Sequence, residues 1–150
     1  MMTFINGCEL PDNLLYFVEG NQMSWIRLEE DEAVIGLTDP AQTRAGKIVV
    51  IRVKGEGTSR PKGKPLATIE SGKWAGAVLS PLTGVVVKPN EELTAHPELI
   101  NNDPYGKGWI VRVKMINREE SGSLLQGEQA MEKYRELIGR DNIRCIRCQQ

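Results

Sequence analysis

The sequence predicts a mainly β fold with peripheral helices, and three features support that prediction. Most apolar residues fall in short alternating runs separated by glycine, proline, asparagine or aspartate, which is typical of short strands joined by turns. Two such runs flank a glycine-rich segment centred on Lys73, so this segment is predicted to fold as a hairpin. Extended helical periodicity begins only at Glu119. We therefore expect a small β architecture with one C-terminal helix.

The composition argues against several functional classes. The chain has 150 residues, of which 19 are basic and 20 acidic, so we expect a single domain. Its formal net charge of −1 gives no electrostatic footprint for nucleic acid or an anionic membrane. No apolar run is long enough to span a membrane, and the N-terminus lacks the basic start of a signal peptide. We expect a cytoplasmic monomer whose partners are proteins.

The first half of the chain is predicted to contain four strands and one short helix. Residues 1–13 show no periodicity and are expected to form a loosely held arm in front of a domain that spans residues 14–118. Thr38 is a suitable N-cap, and Gly46 is expected to end the helix that follows it. The strands are expected at 14–18, 24–28, 33–37 and 47–54, with Trp25 facing the core and the last strand strongly buried.

The second half is predicted to continue with strands and to end with a helix. A polar surface loop is expected at 55–64, the Lys73 hairpin at 65–87, a helical turn at 97–100 and the last strand at 109–115. Residues 119–139 are expected to form a helical segment that packs on the β domain, with Gly139 as its C-cap. The apolar face consists of Leu124, Leu125, Ala130, Met131, Tyr134, Leu137 and Ile138. Residues 140–150 are expected to be a charged tail.

Lys73 is the central candidate site residue. Gly72 precedes it and Gly76 follows it, so we expect positive φ values at the tip of a tight hairpin. An exposed lysine is usually only a solvated charge, but here Glu70 lies three positions before it and Gly84 eleven positions after it. This spacing resembles a lipoyl-attachment hairpin.

The resemblance extends from about residue 16 to residue 114 through a series of motifs in order. The motifs are Ile35 to Thr38, Ala41 with Gln42, Gly46, Glu70 with Ser71, Lys73, Ser80 with Pro81, Gly84, Asn90 with Glu91, Pro97 to Asn101, Asp103 to Gly106, and Gly108 to Ile110. On these motifs the chain resembles the H protein family of the glycine cleavage system. That resemblance implies the barrel-sandwich hybrid fold of lipoyl and biotinyl domains and a non-catalytic carrier with lipoate attached covalently to Lys73.

The resemblance also assigns roles to residues around Lys73. Glu70, Ser71, Gly72, Trp74 and Gly84 are expected to form the surface that a lipoylating enzyme recognises and the environment of the lipoyl arm. No catalytic residue and no metal site are expected. A lipoate ligase or an octanoyl/lipoyl transferase is the expected partner for attachment.

Two segments depart from the usual pattern of this family. H proteins usually carry ESVKAAS around the lysine and EHEW upstream, whereas this chain has ESGKWAG at 70–76 and QMSW at 22–25. Trp74 is expected either to fill one end of the barrel or to lie partly exposed beside the arm, as a seat for the dithiolane or an anchor for a partner. The ESGKW form resembles the divergent H-like lipoate-binding proteins of sulfur-oxidising prokaryotes.

The sequence leaves three functions open. In the first hypothesis, the arm on Lys73 shuttles sulfur intermediates to or from a cytoplasmic heterodisulfide-reductase-like complex, with a dihydrolipoamide dehydrogenase as a further partner. In the second, the arm carries an aminomethyl group from glycine decarboxylase to an aminomethyltransferase. In the third, the lysine stays unmodified and the chain is an interaction module.

The three cysteines are expected to be reduced, because an odd number in a chain without an export signal argues against a disulfide framework. Cys145 and Cys148 form a C-x-x-C pair, which is either an unreactive part of the tail or a redox dithiol able to exchange with the lipoyl disulfide. Arg144 and Arg147 are expected to lower the pKa values of these thiols. Cys8 is expected to have no role.

Overall fold

Eleven strands and four helices form the part of the chain that the computed structural model describes, which is residues 2–149. The strands are β1 (Met2–Ile5), β2 (Cys8–Pro11), β3 (Leu15–Glu19), β4 (Gln22–Glu29), β5 (Glu32–Leu37), β6 (Ile48–Val53), β7 (Ser59–Arg60), β8 (Pro65–Ser71), β9 (Ala75–Leu79), β10 (Gly84–Pro89) and β11 (Val111–Met115). The helices are α1 (Asp39–Ala45), α2 (Glu92–Ala95), α3 (Leu99–Asn102) and α4 (Gly127–Arg140). The prediction of a mainly β fold with a C-terminal helix is confirmed.

Three antiparallel sheets organise these strands. The largest sheet has six strands in the order β3-β4-β5-β11-β10-β7, and a three-stranded sheet has the order β6-β8-β9. A two-stranded sheet pairs β1 with β2. Buried side chains from the two larger sheets, among them Ile35, Ile69 and Val113, belong to one apolar core. The Lys73 hairpin is therefore an extension of a sheet whose inner face is anchored in that core.

Trp25 occupies the core, as its position in an alternating strand predicts. Its side chain is fully buried, and its indole N–H donates to the carbonyl oxygen of Pro104 at 2.9 Å. Gly36 lies opposite it on β5, where an added Cβ would lie 2.6 Å from the indole ring. The ring therefore fits only because position 36 carries no side chain.

Helix α1 begins and ends where the sequence predicts. The Thr38 hydroxyl oxygen accepts a hydrogen bond from the backbone N–H of Ala41 at 3.3 Å, so it satisfies one of the free donors at the start of the helix. Gly46 ends the helix with φ 85° and ψ −170°, a conformation that is essentially restricted to glycine. This glycine lies next to the side chain of Lys73.

The expected loose N-terminal arm is wrong. Residues 2–11 form a hairpin in which Cys8 and Leu10 are fully buried. The backbone N–H of Glu9 donates to the Asp39 carboxylate at 2.9 Å, and the hydroxyl of Tyr105 donates to the carbonyl oxygen of Glu9 at 2.5 Å. These stabilising contacts come from residues distant in sequence, which is why local periodicity did not indicate the hairpin.

The expected charged tail after residue 140 is also wrong. Ile143 and Cys145 are buried, and the backbone N–H of Cys145 donates to the carbonyl oxygen of Asn6 at 3.2 Å. The side-chain amide of Asn6 donates in turn to the carbonyl oxygen of Ile143 at 2.7 Å. The two ends of the chain therefore pack against each other.

Smaller differences concern individual elements. Strand β6 is less buried than predicted, since only Ile48 and Ile51 are buried and Val49 is half exposed. The expected loop at 55–64 contains the two-residue strand β7, and α2 was not predicted. The apolar face of α4 is buried as predicted, but the helix begins at Gly127 after a 3-10 helix at Arg118–Ser123, and it continues past Gly139 to a cap at Asp141.

Among residues 2–149, no helix has the length and apolar character that a membrane crossing requires.

Candidate functional site

The tip of the β8–β9 hairpin presents Lys73 on a tightly bonded turn. The backbone N–H of Ser71 donates to the carbonyl oxygen of Trp74 at 2.8 Å, which closes the turn. The Ser71 hydroxyl donates to the carbonyl oxygen of Ala45 at 2.6 Å, and its oxygen accepts from the backbone N–H of Lys73 at 3.3 Å. Ser71 therefore ties the tip to the last residue of α1 and fixes the root of the lysine side chain.

The Lys73 side chain is exposed and runs over Gly46. A Cβ added at Gly46 would lie 2.9 Å from Cε of Lys73, so the methylene groups of the lysine pack directly on the glycine backbone. The carbonyl oxygen of Gly46 is itself held by the side-chain amide of Asn101 at 2.9 Å. The base of the lysine side chain therefore rests on a fixed surface while its amine is accessible to a modifying enzyme.

The two glycines beside Lys73 do not have the backbone conformation that the sequence suggested. Neither Gly72 nor Gly76 has a positive φ, so the prediction of left-handed residues at the tip is wrong. Gly76 is instead required by packing, since an added Cβ would lie 2.2 Å from the ring of Trp74. An added Cβ at Gly72 would meet no atom within 4 Å. The turn is closed by hydrogen bonds to Ser71, which makes left-handed residues unnecessary.

Trp74 lies beside the lysine as a partly exposed ring. Its exposed fraction is 42%, so it does not fill an end of the barrel, and its placement matches the second of the two alternatives. The ring forms one wall of a cleft of about 340 Å³, which we call the Trp cleft and which is also lined by Gln22, Leu37, Ala45 and Val78. Because the ring adjoins the root of the Lys73 side chain, a group on that side chain could enter the Trp cleft.

Gln22 belongs to the second segment that departs from the family pattern, and it lies in the same cleft. Its side-chain amide donates to the carbonyl oxygen of Ala77 at 3.0 Å, and its carbonyl oxygen accepts from the backbone N–H of Leu79 at 3.0 Å. A glutamate at this position would have no N–H for the first of these bonds. The two unusual segments, 22–25 and 70–76, therefore meet in the Trp cleft.

The other predicted recognition residues are separated by the fold. Glu70 is exposed on β8, where it pairs with Ala75 close to the tip. Gly84 is buried at the start of β10 in the six-stranded sheet, where an added Cβ would lie 2.3 Å from a methyl group of Val113. Strand packing accounts for the glycine at position 84, so a direct role in recognition remains a prediction.

A second cleft, which the sequence did not predict, begins on the other side of Gly46. It has a volume of about 610 Å³, and we call it the basic cleft because Lys47, Arg144 and Arg147 line it together with one acidic residue, Glu98. These residues come from three distant parts of the chain. No local pattern could have shown that they share one surface.

The structure corrects the interpretation of the cysteines. Cys145 forms a buried disulfide with Cys8, so it does not form a redox dithiol with Cys148, and Cys8 is a structural residue. The prediction of three reduced thiols failed because the partners are 137 residues apart and only the fold brings them together. The hydroxyl of Thr43 on α1 donates to the sulfur of Cys145 at 3.2 Å.

Cys148 keeps a free, exposed thiol, but it is not activated as the sequence suggested. Partial burial raises the pKa of the Cys148 thiol, whereas the neighbouring Arg147 lowers it. The Arg147 guanidinium is bound by the carboxylates of Asp39 and Glu9, with a distance of 3.2 Å from its Nε to Asp39. These two carboxylates offset the effect of the arginine on the thiol, and the pKa of Cys148 is raised.

The structure places an exposed lysine at the tip of a hydrogen-bonded hairpin on a small domain of antiparallel sheets, as the resemblance to lipoyl carrier domains implies. The family model for the glycine cleavage H-protein matches residues 15–137, and the chain belongs to that family. Proteins of this family are non-catalytic carriers of covalently attached lipoate.

Individual relatives agree with this assignment. Over 147 residues the chain is 51% identical to a probable glycine cleavage system H protein 2 of Saccharolobus solfataricus, covering 97% of this chain and 99% of that protein. It is 48% identical over 141 residues to a glycine cleavage system H protein 2 of Aquifex aeolicus, covering 93% and 86% of the two chains. The crystal structure of a glycine cleavage system H protein from Mycobacterium marinum superposes with a TM-score of 0.71 at 23% identity, over 89% of this chain and 100% of that one. The last comparison confirms the predicted fold class.

Proposed function

We propose that this chain is a lipoyl carrier in which the side-chain nitrogen of Lys73 holds lipoate in amide linkage. The observation that carries the proposal is the accessible amine of Lys73 on a turn that Ser71 bonds to α1, in a chain of this family. When bound, lipoate would supply a disulfide that can exchange with thiols or hold a transferred group. The carrier itself performs no catalysis.

The geometry of the tip suits a swinging arm. A lipoyl-lysine would have about twelve bonds from Cα to the nearer sulfur, so the dithiolane could reach roughly 14 Å from the backbone. The Ser71 bond to Ala45 and the packing of Lys73 on Gly46 keep the base of the arm in place. A tethered group of this reach gains effective concentration at each enzyme that the carrier contacts.

Attachment requires a lipoate ligase or an octanoyl/lipoyl transferase, and the exposed face of the hairpin is the surface that such an enzyme would contact. Glu70 and Gly72 are exposed on this face, and Ser71 is partly exposed beside them. Because an added Cβ at Gly72 would meet open space, its small size keeps the approach to Lys73 open. We place the reaction in the cytoplasm, with a dihydrolipoamide dehydrogenase to reoxidise the reduced arm.

The glycine cleavage role is the function that the relatives favour. Several proteins that align with nearly the whole chain carry the name glycine cleavage system H protein. In this role the carrier takes an aminomethyl group from a pyridoxal-phosphate-dependent glycine decarboxylase and delivers it to a folate-dependent aminomethyltransferase. The test is to mix the lipoylated protein with glycine decarboxylase and labelled glycine, where release of labelled carbon dioxide supports the role.

A second candidate is the carriage of sulfur intermediates for a heterodisulfide-reductase-like complex. The Trp cleft favours it, because Trp74 and Gln22 give the surface beside the arm a chemistry that departs from the usual family pattern. An apolar ring offers a seat for a dithiolane and an anchor for a different partner. Failure of glycine decarboxylation by a fully lipoylated sample, together with binding to such a complex, would support this candidate over the first.

A third possibility is an unmodified interaction module, and the mass of the native protein distinguishes it from both carrier functions. Intact mass of the protein isolated from its native host should show the increment of one lipoyl group. A native protein with an unmodified Lys73 would contradict both carrier functions and leave the interaction module.

A further inference from the structure

We infer that the basic cleft is a binding site for an anionic group carried at the end of the arm on Lys73. This inference rests on the proposed lipoyl carrier function and adds the charge of a load that the chain can hold. It bears on the second candidate, since the aminomethyl group of the first candidate is an amine and is not anionic. It follows from three observations: where the basic cleft begins, which of its charges are compensated, and how it differs from the Trp cleft.

The basic cleft begins at the root of the arm. Gly46 is part of its lining, and Lys73 packs its methylene groups on that same glycine. Ala45, one residue earlier, lines the Trp cleft instead. The side chain of Lys73 therefore stands at the boundary between the two clefts, and an arm reaching roughly 14 Å could fold into either of them.

The charges in the basic cleft are unevenly compensated. Arg147 is bound by Glu9 and Asp39, so its charge is already used. Within residues 2–149, neither Lys47 nor Arg144 takes part in an ion pair. Setting Arg147 aside, two cations face one carboxylate, that of Glu98, which His96 contacts at 3.3 Å. Counting Glu9 and Asp39, the carboxylates equal the cations in number, so the cleft offers two cations outside ion pairs and not a net positive charge. The N–H groups of the Arg144 guanidinium can bind an oxyanion in pairs.

The Trp cleft has no such unpaired cation among its lining residues. Its Arg44 forms an ion pair with Asp141 at 3.4 Å and donates to the carbonyl oxygen of Asn21 at 2.6 Å. Its remaining wall includes the Trp74 ring and the aliphatic side chains of Leu37 and Val78. An uncharged dithiolane therefore fits the Trp cleft, whereas a load with a carboxylate, sulfonate or similar oxyanion fits the basic cleft.

The far wall of the basic cleft is held in place by the chain ends. Arg144 and Ile146 flank Cys145, whose disulfide to Cys8 fixes this segment against the first hairpin. The Arg144 side chain is itself exposed, so its replacement should leave the fold intact. This arrangement places the Arg144 guanidinium at the cleft, and replacing Arg144 tests the role of its charge without a large change in the fold.

The test compares arms that differ only in charge. The lipoylated protein carries Cys148→Ala, which removes the free thiol, and its lipoyl disulfide is reduced with a phosphine. Intact mass confirms that the disulfide between Cys8 and Cys145 persists. The arm thiols are then alkylated with iodoacetate or with iodoacetamide, in which each sulfur displaces iodide and forms a thioether. Backbone amide chemical shifts are recorded for both products. We expect the carboxymethyl arm to shift the amides of Lys47, Asn102 and Arg144, and the neutral arm to leave them near their original positions.

Mutation and salt provide the controls. Lys47→Gln with Arg144→Gln should reduce the population of the docked anionic arm by about two- to five-fold, as expected when an exposed charge pair is lost. Lys88→Gln, an exposed lysine outside both clefts, should leave it unchanged. Raising the ionic strength should weaken docking of the anionic arm alone. Equal shifts for the two arms, or charge-dependent shifts confined to Trp74 and Ala77, would overturn the inference.

A second arm makes the inference independent of lipoylation. In Lys73→Cys with Cys148→Ala, the new thiol is coupled to maleimidohexanoic acid or to its uncharged amide, and the same amides are followed. Charge-dependent shifts in the basic cleft support the inference even if Lys73 proves not to be lipoylated. If these charge-dependent shifts are absent in the Lys73→Cys variant while the parent protein is lipoylated on Lys73, the inference is refuted and the carrier function still stands.

Discussion

The hairpin tip and the terminal clasp contact opposite parts of the same short helix, and they are built in opposite ways. The tip, residues 71–76, is mostly exposed and rests on the end of α1 through Ser71. The clasp, by which we mean β1, β2 and residues 143–148, packs on the first turns of α1 through Asp39 and Thr43. It is cross-linked by the Cys8–Cys145 disulfide. The comparison shows how the fold separates the exposed Lys73 from the contacts that stabilise the helix beneath it.

The exposed tip and the firmly packed clasp together suit a protein that carries a tethered group. A carrier must offer its lysine to several enzymes, so the tip cannot be buried, yet the root of an arm must not move freely if it is to gain from tethering. Helix α1 satisfies both conditions because one end is fixed by the clasp and the other end supports Lys73 through Gly46. Changes in the clasp should therefore alter stability, and changes at the tip should alter attachment and docking.

Among the changes in the clasp, the junction and the tip, removing the disulfide should have the largest effect on stability. Cys8→Ala with Cys145→Ala opens a cross-link between residues 137 positions apart, and we expect the free energy of unfolding to fall by about 2–4 kcal/mol. Urea unfolding followed by circular dichroism measures the loss. Cys148→Ala is the matched control and should change stability by less than about 0.5 kcal/mol, since this thiol is exposed and unpaired. A double variant as stable as the control would contradict the stabilising role of the clasp. Loss of lipoylation in a double variant that still folds would contradict the separation of the clasp from attachment at the tip.

Gly46→Ala tests the junction between the two regions. Its φ of 85° and ψ of −170° suit only glycine, so we expect a loss of about 1–3 kcal/mol in unfolding free energy. Gly72→Ala is the control, because that residue has no positive φ and open space around it, and it should stay within about 0.5 kcal/mol of the parent. Equal effects of the two variants would show that the junction is not constrained by the conformation at position 46.

Trp74→Ala should destabilise the protein less than removal of the disulfide or replacement of Gly46. With a ring 42% exposed, truncation is expected to cost less than about 1 kcal/mol, within the usual range for surface substitutions. Trp25→Ala, at a fully buried position, should cost about 3–5 kcal/mol in the same urea experiment. If Trp74→Ala were as destabilising as Trp25→Ala, Trp74 would be a structural residue and the Trp cleft would lose its interpretation as a docking surface.

The sequence predicted the tip better than the clasp, and the reason is the range of the interactions. Thr38, Trp25 and the α4 face follow local rules of capping and periodicity, and all three predictions are confirmed. The exposed hairpin of Lys73 follows from two flanking strands and its turn. The disulfide, the Arg147 ion pairs and the basic cleft join residues about a hundred positions apart, and composition gives no signal for such pairs.

Some local signals were also misleading. Glycines beside Lys73 suggested left-handed backbone, but the Ser71 hydrogen bonds close the turn without it, and Gly76 instead makes room for the Trp74 ring. Arg147 suggested an activated Cys148, but two carboxylates brought in by the fold bind that arginine. In both cases the residue type was informative, and its partner could not be known before the fold.

The most direct test of the account is the position of the lipoyl group on the chain. The parent protein, Lys73→Arg and Lys47→Arg are each incubated with a lipoate ligase, ATP and lipoate, and the products are analysed by intact mass and peptide mapping. We predict one lipoyl increment located on Lys73 in the parent and in Lys47→Arg, and none in Lys73→Arg, because a guanidinium stays protonated and does not accept the acyl group. An increment that persists in Lys73→Arg, or a parent that no lipoylating enzyme modifies, would contradict the account.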